Sequence, residues 1–148
     1  MLVFVYGRNL SPDVFAEPCP EAVPWGRALL SGHRLADELS PNIVRDARGR
    51  VWGALYEIED RQLQDLDSFE AGRGYRRLEV DVIVDEFEIR AWAYRNENPC
   101  PGPLDPSCLE PMIEGALLNE IPETYLSELE KRAFASAEIG SEEDQLER

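Results

Sequence analysis

Leu78-Glu79-Val80-Asp81-Val82-Ile83-Val84, then Asp85-Glu86, then Phe87-Glu88-Ile89-Arg90-Ala91-Trp92-Ala93-Tyr94, is the stretch that decides the class of fold. Successive side chains of a strand point to opposite faces, so residues two apart share one. Leu78, Val80, Val82 and Val84 line one face of the first run, with Glu79 and Asp81 on the other. In the second run Phe87, Ile89, Ala91 and Ala93 face away from Glu88, Arg90, Trp92 and Tyr94. Asp85-Glu86 between them suits a hairpin tip. Such a hairpin is antiparallel and lays one face on a core.

Upstream of the hairpin the period changes. Leu63, Leu66 and Glu70 stand at i, i+3 and i+7, the spacing of one helix face. Seven residues are nearly two full turns, so Glu70 falls almost over Leu63. The spacing predicts a helix from about Asp60, read as its cap, to about Glu70. Val51 to Ile58 before it reads as a strand, and so do Arg27 to Leu35 and the apolar run Leu2 to Tyr6. Leu39 to Arg50, bracketed by Pro41-Asn42 and Gly49, reads as turn-rich. Residues 11 to 24 carry four prolines and read as a loop with room for one helical turn after Ser11-Pro12. Arg73-Gly74 reads as a turn and 96–106 as a loop. Helices are expected over 107–119 and 123–133, separated by Ile121-Pro122. Residues 1–133 form the expected domain, and the acidic tail 134–148 is read as disordered. The strands do not alternate with crossover helices, which excludes a doubly wound parallel sheet. The order fits an α+β protein with a mostly antiparallel, possibly closed sheet.

Charge narrows the function. Thirty acidic residues against fifteen basic ones give a net charge of −15. Nucleic acid requires a basic face, and so does an anionic membrane surface, so the charge argues against both as partners. The tail accounts for only part of this, since residues 134–148 hold five acids and one base. The apolar run Leu2 to Tyr6 is too short for a signal-peptide core or a membrane span. Cys19, Cys100 and Cys108 are odd in number and lack a paired spacing, which points to a reducing cytoplasm. No Cys-x-x-Cys is present and His33 is the single histidine, so no metal site is expected.

Several residues could carry chemistry. A glutamate on an apolar stripe is costly unless it is paired, hydrogen-bonded or protonated. If Glu70 is buried, desolvation raises its pKa toward neutrality and makes it a candidate general acid/base. If the helix ends there, Glu70 swings into solvent, and position alone favours that outcome. Tyr6-Gly7-Arg8-Asn9-Leu10 ends a buried strand in a glycine turn, whose free N–H groups suit a carboxylate or an oxyanion. Most junctions of this kind are only turns. Tyr75, Tyr94 and Tyr125 offer hydroxyls, and a lone tyrosine is more often a half-buried packing residue. Asp67 is read as capping local backbone or pairing with an arginine such as Arg76 or Arg77. His33 is read as a surface imidazole. Nothing near Cys19 would lower its pKa.

Four blocks in order resemble the gamma-glutamylcyclotransferase-like family. Val3-Phe4-Val5-Tyr6-Gly7-Arg8-Asn9-Leu10 is similar to its opening strand and substrate loop. Val51-Trp52-Gly53-Ala54-Leu55-Tyr56 is similar to the strand before its catalytic helix. Leu66-Asp67-Ser68-Phe69-Glu70 with Gly74-Tyr75-Arg76-Arg77 resembles its Leu-Asp-x-x-Glu-Gly block. Pro106-Ser107 through Ile121-Pro122-Glu123-Thr124-Tyr125-Leu126 resembles its C-terminal helices. The resemblance implies a small mixed, mostly antiparallel barrel with flanking helices. It implies a cofactor-free cyclotransferase that releases 5-oxoproline from a small gamma-glutamyl compound. It places the acid/base on Glu70 and substrate contacts on Tyr6, Gly7, Arg8, Asn9, Leu10 and Tyr125. Two positions depart from the pattern. Arg8 stands where the family has Ser or Thr, and Ala71 stands where it has glycine.

Overall fold

In the computed structural model, which describes residues 1–36, 38–98 and 100–132, five strands close into one barrel in the order β1-β3-β2-β4-β5. They are β1 (Leu2–Val5), β2 (Val23–Leu35), β3 (Ile43–Glu57), β4 (Tyr75–Val84) and β5 (Phe87–Asn96). The helices are α1 (Pro12–Phe15), α2 (Asp60–Ala71), α3 (Pro106–Leu118) and α4, described over residues 123–132. A 3-10 turn at Arg8–Leu10 follows β1.

The β4–β5 hairpin forms in the register that its alternation demands, from Tyr75 opposite Asn96 to Val84 opposite Phe87. Val80, Val82, Ala91 and Ala93 point into the core, and Glu79, Asp81, Glu88 and Arg90 point outward. Short β1 closes the barrel. It pairs antiparallel with β3, Leu2 opposite Glu57 through Val5 opposite Ala54, and parallel with β5 at Val3 and Trp92. The remaining seam pairs β2 with β4 antiparallel at Leu29 and Ile83. The interior is filled by Phe4, Leu30, Val51, Leu55 and Val82 among others, all 1% exposed or less.

Three expectations need correction. Residues 43–50, read as turn-rich, are the first half of β3, which pairs with β2 from Ile43 opposite Leu35 onward. Their polarity reflects a stretch that lies partly outside the core, with only Ile43 fully buried. Strand β2 begins at Val23, inside the proline-rich segment, with Pro24 opposite Tyr56 and a register shift before Gly26. Proline is tolerated there because it stands at a strand's start beside a bulge. Helix α2 is capped by Glu59 rather than Asp60. The Glu59 side chain accepts from the backbone at Gln62, and Gln62 Oε1 accepts from Glu59 N at 3.0 Å, a capping box. The expected tail 134–148 lies outside the described residues.

Helix α3 fixes the turn after β1. Gly115 lies against the Leu10 carbonyl so closely that a Cβ there would overlap backbone atoms. Backbone cannot yield as a flexible side chain would. Gly115→Ala should therefore destabilise the fold by about 1–3 kcal/mol, the usual cost of forcing atoms into a packed region. Urea unfolding measures it, and an unchanged midpoint would show that the helix and turn are not in close contact.

Candidate active site

Strand β1 delivers the first half of the site. Beyond Val5 the chain leaves the sheet at Tyr6-Gly7 and winds into the 3-10 turn, where Leu10 N donates to Gly7 O at 2.9 Å. Leu10 is fully buried and anchors the turn from beneath. Gly7 is required by close approach, since a Cβ would sit 2.8 Å from Pro41 Cβ. A helical turn leaves its first N–H groups without intrahelical acceptors, here those of Arg8 and Asn9.

Helix α2 delivers the second half. Leu63, Leu66 and Glu70 are all buried on one face, and Glu70 is 3% exposed. The glutamate thus points inward, not into solvent as its position alone favours. Asn9 Nδ2 donates to Glu70 Oε1 at 2.8 Å across the gap between turn and helix. Burial raises the Glu70 pKa above the ordinary value, and the Asn9 hydrogen bond and the nearby Arg73 charge offset this only in part.

Three tyrosines frame the cleft with their hydroxyls committed elsewhere. Tyr6 Oη donates to the Tyr94 carbonyl at 2.6 Å and Tyr75 Oη donates to the Pro41 carbonyl. Tyr94 Oη donates to Asp67 Oδ1 at 2.6 Å, and Arg77 Nε lies 3.6 Å from the same oxygen. Asp67 thus takes both a phenol and the arginine expected of it. Burial pushes the Tyr6 and Tyr94 pKa values well above the ordinary phenol value and that of Tyr75 up to about 12. These phenols stay neutral, which leaves Glu70 as the cleft's titrating carboxyl.

Of the residues singled out in the sequence, Tyr6, Gly7, Arg8, Asn9 and Glu70 line one cleft. Tyr75 and Tyr94 join them there. Leu10 supports the cleft from the core rather than lining it. Tyr125 is not brought to this cleft and instead lines a separate cavity between β2, β3 and α4. Arg73 and Pro41 complete the cleft and were not anticipated. Arg73 could have been found, since it follows Glu70 by three residues and so falls one turn on. Pro41 carries no local signal and arrives through tertiary packing. Arg8 Nε and Asn9 Oδ1 are buried without a hydrogen-bond partner among the described residues. Unsatisfied buried polar atoms in a cleft are costly unless a ligand meets them. Cys19 is buried and its thiol is pushed up to about 11, which disfavours the thiolate. Among the described residues no group of three or more His, Cys, Asp or Glu side chains could hold a metal ion. No helix there is long and apolar enough to cross a membrane.

A family model described as gamma-glutamyl cyclotransferase, AIG2-like, matches residues 3–116. A solved structure named gamma-glutamyl cyclotransferase is 25% identical with a TM-score of 0.82, over 87% of this chain and 85% of that chain. A crystal structure of an uncharacterised protein from Homo sapiens is 26% identical with a TM-score of 0.81, over the same shares. YkqA from Bacillus subtilis, at 20% identity and a TM-score of 0.78, shares the fold over 90% of this chain and 54% of its own. No curated protein matches the chain in sequence.

The raised Glu70 pKa has a consequence for stability. A carboxyl whose folded pKa lies above its unfolded value favours the folded state most at low pH. That contribution is lost as pH rises from about 4.5 through the folded pKa. Glu70→Gln removes the ionisation, so the variant should gain stability relative to the parent between pH 4 and pH 8. Paired urea titrations at the two values measure this. A gap that stays constant or narrows toward pH 8 would contradict the desolvated carboxyl.

Proposed function

The chain belongs to the AIG2-like gamma-glutamyl cyclotransferase family, and from that premise we propose that it converts a gamma-glutamyl amine, amino acid or short peptide into 5-oxoproline and a free amine. The reading rests above all on Glu70, a carboxyl 3% exposed that faces the Gly7–Asn9 turn and is held by Asn9 at 2.8 Å.

The substrate's own α-amino nitrogen attacks its γ-carbonyl carbon. A carbon–nitrogen bond forms and closes the five-membered lactam, and the bond from that carbon to the departing nitrogen breaks. The attacking amine must shed a proton, and the departing nitrogen must gain one. Glu70 accepts the first and supplies the second, so no net proton is consumed. A general acid/base contributes about 10²–10⁴-fold, and most when its pKa lies near the working pH. Desolvation moves Glu70 in that direction. Asn9 keeps one carboxylate oxygen fixed and leaves the other for the proton.

The remaining groups handle charge and shape. The N–H groups of Arg8 and Asn9 face the negative charge of the reaction, whether the substrate's carboxylate or the tetrahedral oxyanion. Arg8 and Arg73 add two cations to the same cleft. The departure at Arg8 therefore fits an anionic substrate, provided its bulk leaves room. Holding the glutamyl chain folded adds proximity, worth about 7 kcal/mol or more in favourable systems. The chemistry requires no cofactor. A reducing cytoplasm suits the three cysteines, all of which are free.

A panel of gamma-glutamyl amines, amino acids and peptides, assayed for 5-oxoproline, tests the activity. Wild-type protein should turn over at least one, and Glu70→Gln should lower kcat by about 10²–10⁴-fold while keeping its fold. Near-parental activity in Glu70→Gln would overturn the role of Glu70. No 5-oxoproline from any compound, with a thermal shift from one of them, would make the chain a binder instead. Arg8 and Ala71, the two departures from the family's pattern, are the observations that favour that second reading.

A further inference from the structure

A second cavity, of about 350 Å³, lies between the β2–β3 hairpin and α4, away from the Glu70 cleft. Its size is within the range of small-molecule sites. Four guanidinium groups line it, from Arg34, Arg48, Arg50 and Arg132, against the single carboxylate of Glu128. This is a strong local excess in a chain of net charge −15 with only fifteen basic residues.

The hairpin is built to bring these arginines together. Ser31 pairs with Arg50 and His33 with Arg45, so Asp46-Ala47-Arg48-Gly49 on β3 stand opposite Gly32 alone on β2. A bulge of this kind re-aims side chains. Gly32 takes a positive φ of 76° to accept it, and Gly49 packs where a Cβ would overlap the His33 carbonyl. Asp46 Oδ1 accepts from Arg48 N at 3.0 Å and its other oxygen lies 3.6 Å from Arg34 Nε, which fixes the bulge. Arg132 Nη2 donates to the Leu35 carbonyl at 3.1 Å, which holds it beside the opening. Arg48 and Arg50 are exposed and form no ion pair among the described residues. Gathering like charges costs energy unless an anion shares them.

Independent support comes from Tyr125 on α4. It is 8% exposed and lines the cavity; the Trp52 backbone N–H lies beside its buried hydroxyl oxygen, and no acceptor among the described residues takes the hydroxyl proton. A buried phenol in that state normally finds a partner. Burial pushes its pKa far above the ordinary value, so it remains a donor.

We infer that this cavity is an anion-binding site, separate from the Glu70 cleft, for a small molecule with two or more negative charges on phosphate or carboxylate groups. Arginine forks match both groups in bidentate fashion. The Tyr125 hydroxyl supplies a further donor from the cavity wall.

Calorimetry on the full chain at low salt, with pyrophosphate and citrate as probes, tests the site. At least one probe should bind saturably, and the one preferred separates phosphate from carboxylate recognition. Added salt should weaken binding, because the rim arginines are exposed to screening. Arg48→Gln with Arg50→Gln should weaken it by about tenfold or more, and Tyr125→Phe by about tenfold, since each removes donors to a charged group. Arg73→Gln, in the other cleft, should leave it unchanged. No saturable binding of either probe overturns the site. So does binding retained in Arg48→Gln/Arg50→Gln but lost in Arg73→Gln, which would place the anion in the Glu70 cleft.

Discussion

A carboxylate taken out of water must find a donor, and that requirement organises one end of this molecule. Glu70 stands on the same helix face as Leu63 and Leu66 and is buried with them. Its donor is Asn9, from the far end of the sequence, at 2.8 Å. A hydrogen bond to a charged group is worth about 1.5–3 kcal/mol, while leaving such a group buried without one costs more. Three opposing effects meet on this carboxyl, and the direction of its pKa says which wins. Desolvation exceeds the Asn9 bond and the Arg73 charge together. The proton is therefore held more tightly than on an exposed glutamate.

Asn9 can serve only if the turn carrying it is immobile. Three features make it so. Leu10 is buried in the core, the Gly115 backbone abuts its carbonyl, and Gly7 packs on Pro41. On the other side Tyr94 links β5 to α2 through Asp67, and Tyr6 links β1 to β5 through the Tyr94 carbonyl. The phenols spend their donors on structure. That leaves the helix, the turn and two strands in fixed relation.

The elements with one dominant period were legible in the sequence. The β4–β5 hairpin follows from strict alternation, and the inward aim of Glu70 follows the helix period once α2 is packed. Periodicity could not decide whether that end of α2 faced core or solvent. The decision depends on β1, about sixty residues away in sequence. The first half of β3 was missed because its outward face is polar and it carries a bulge, so neither template fits residues 43–50. Pro41 was missed for a related reason, since it reaches the cleft from the connection between β2 and β3. The capping residue shifted by one position, because Glu59 and Asp60 are both acidic and only the reciprocal bond with Gln62 separates them. Tyr125 was placed by resemblance alone, and α4 carries it to the cavity beside the β2–β3 hairpin.

The Glu70 cleft and the cavity under α4 are both lined by arginine. At long range the net charge repels anions, but exposed charges are screened beyond about 8 Å at physiological salt. Within a cleft the nearest groups dominate, because the surrounding dielectric is low. Arg8 and Arg73 beside Glu70, and Arg34, Arg48, Arg50 and Arg132 under α4, gather positive charge locally. An anionic ligand would gain little from electrostatic steering on approach and most of its affinity after entry. Rates of association should then be ordinary, and discrimination should reside in dissociation. The same charge bears on Glu70. A cation beside it favours its ionised form, so an anion that partly neutralises Arg73 would raise the Glu70 pKa further. The charge of a ligand and the proton affinity of Glu70 are in that way coupled through one guanidinium group.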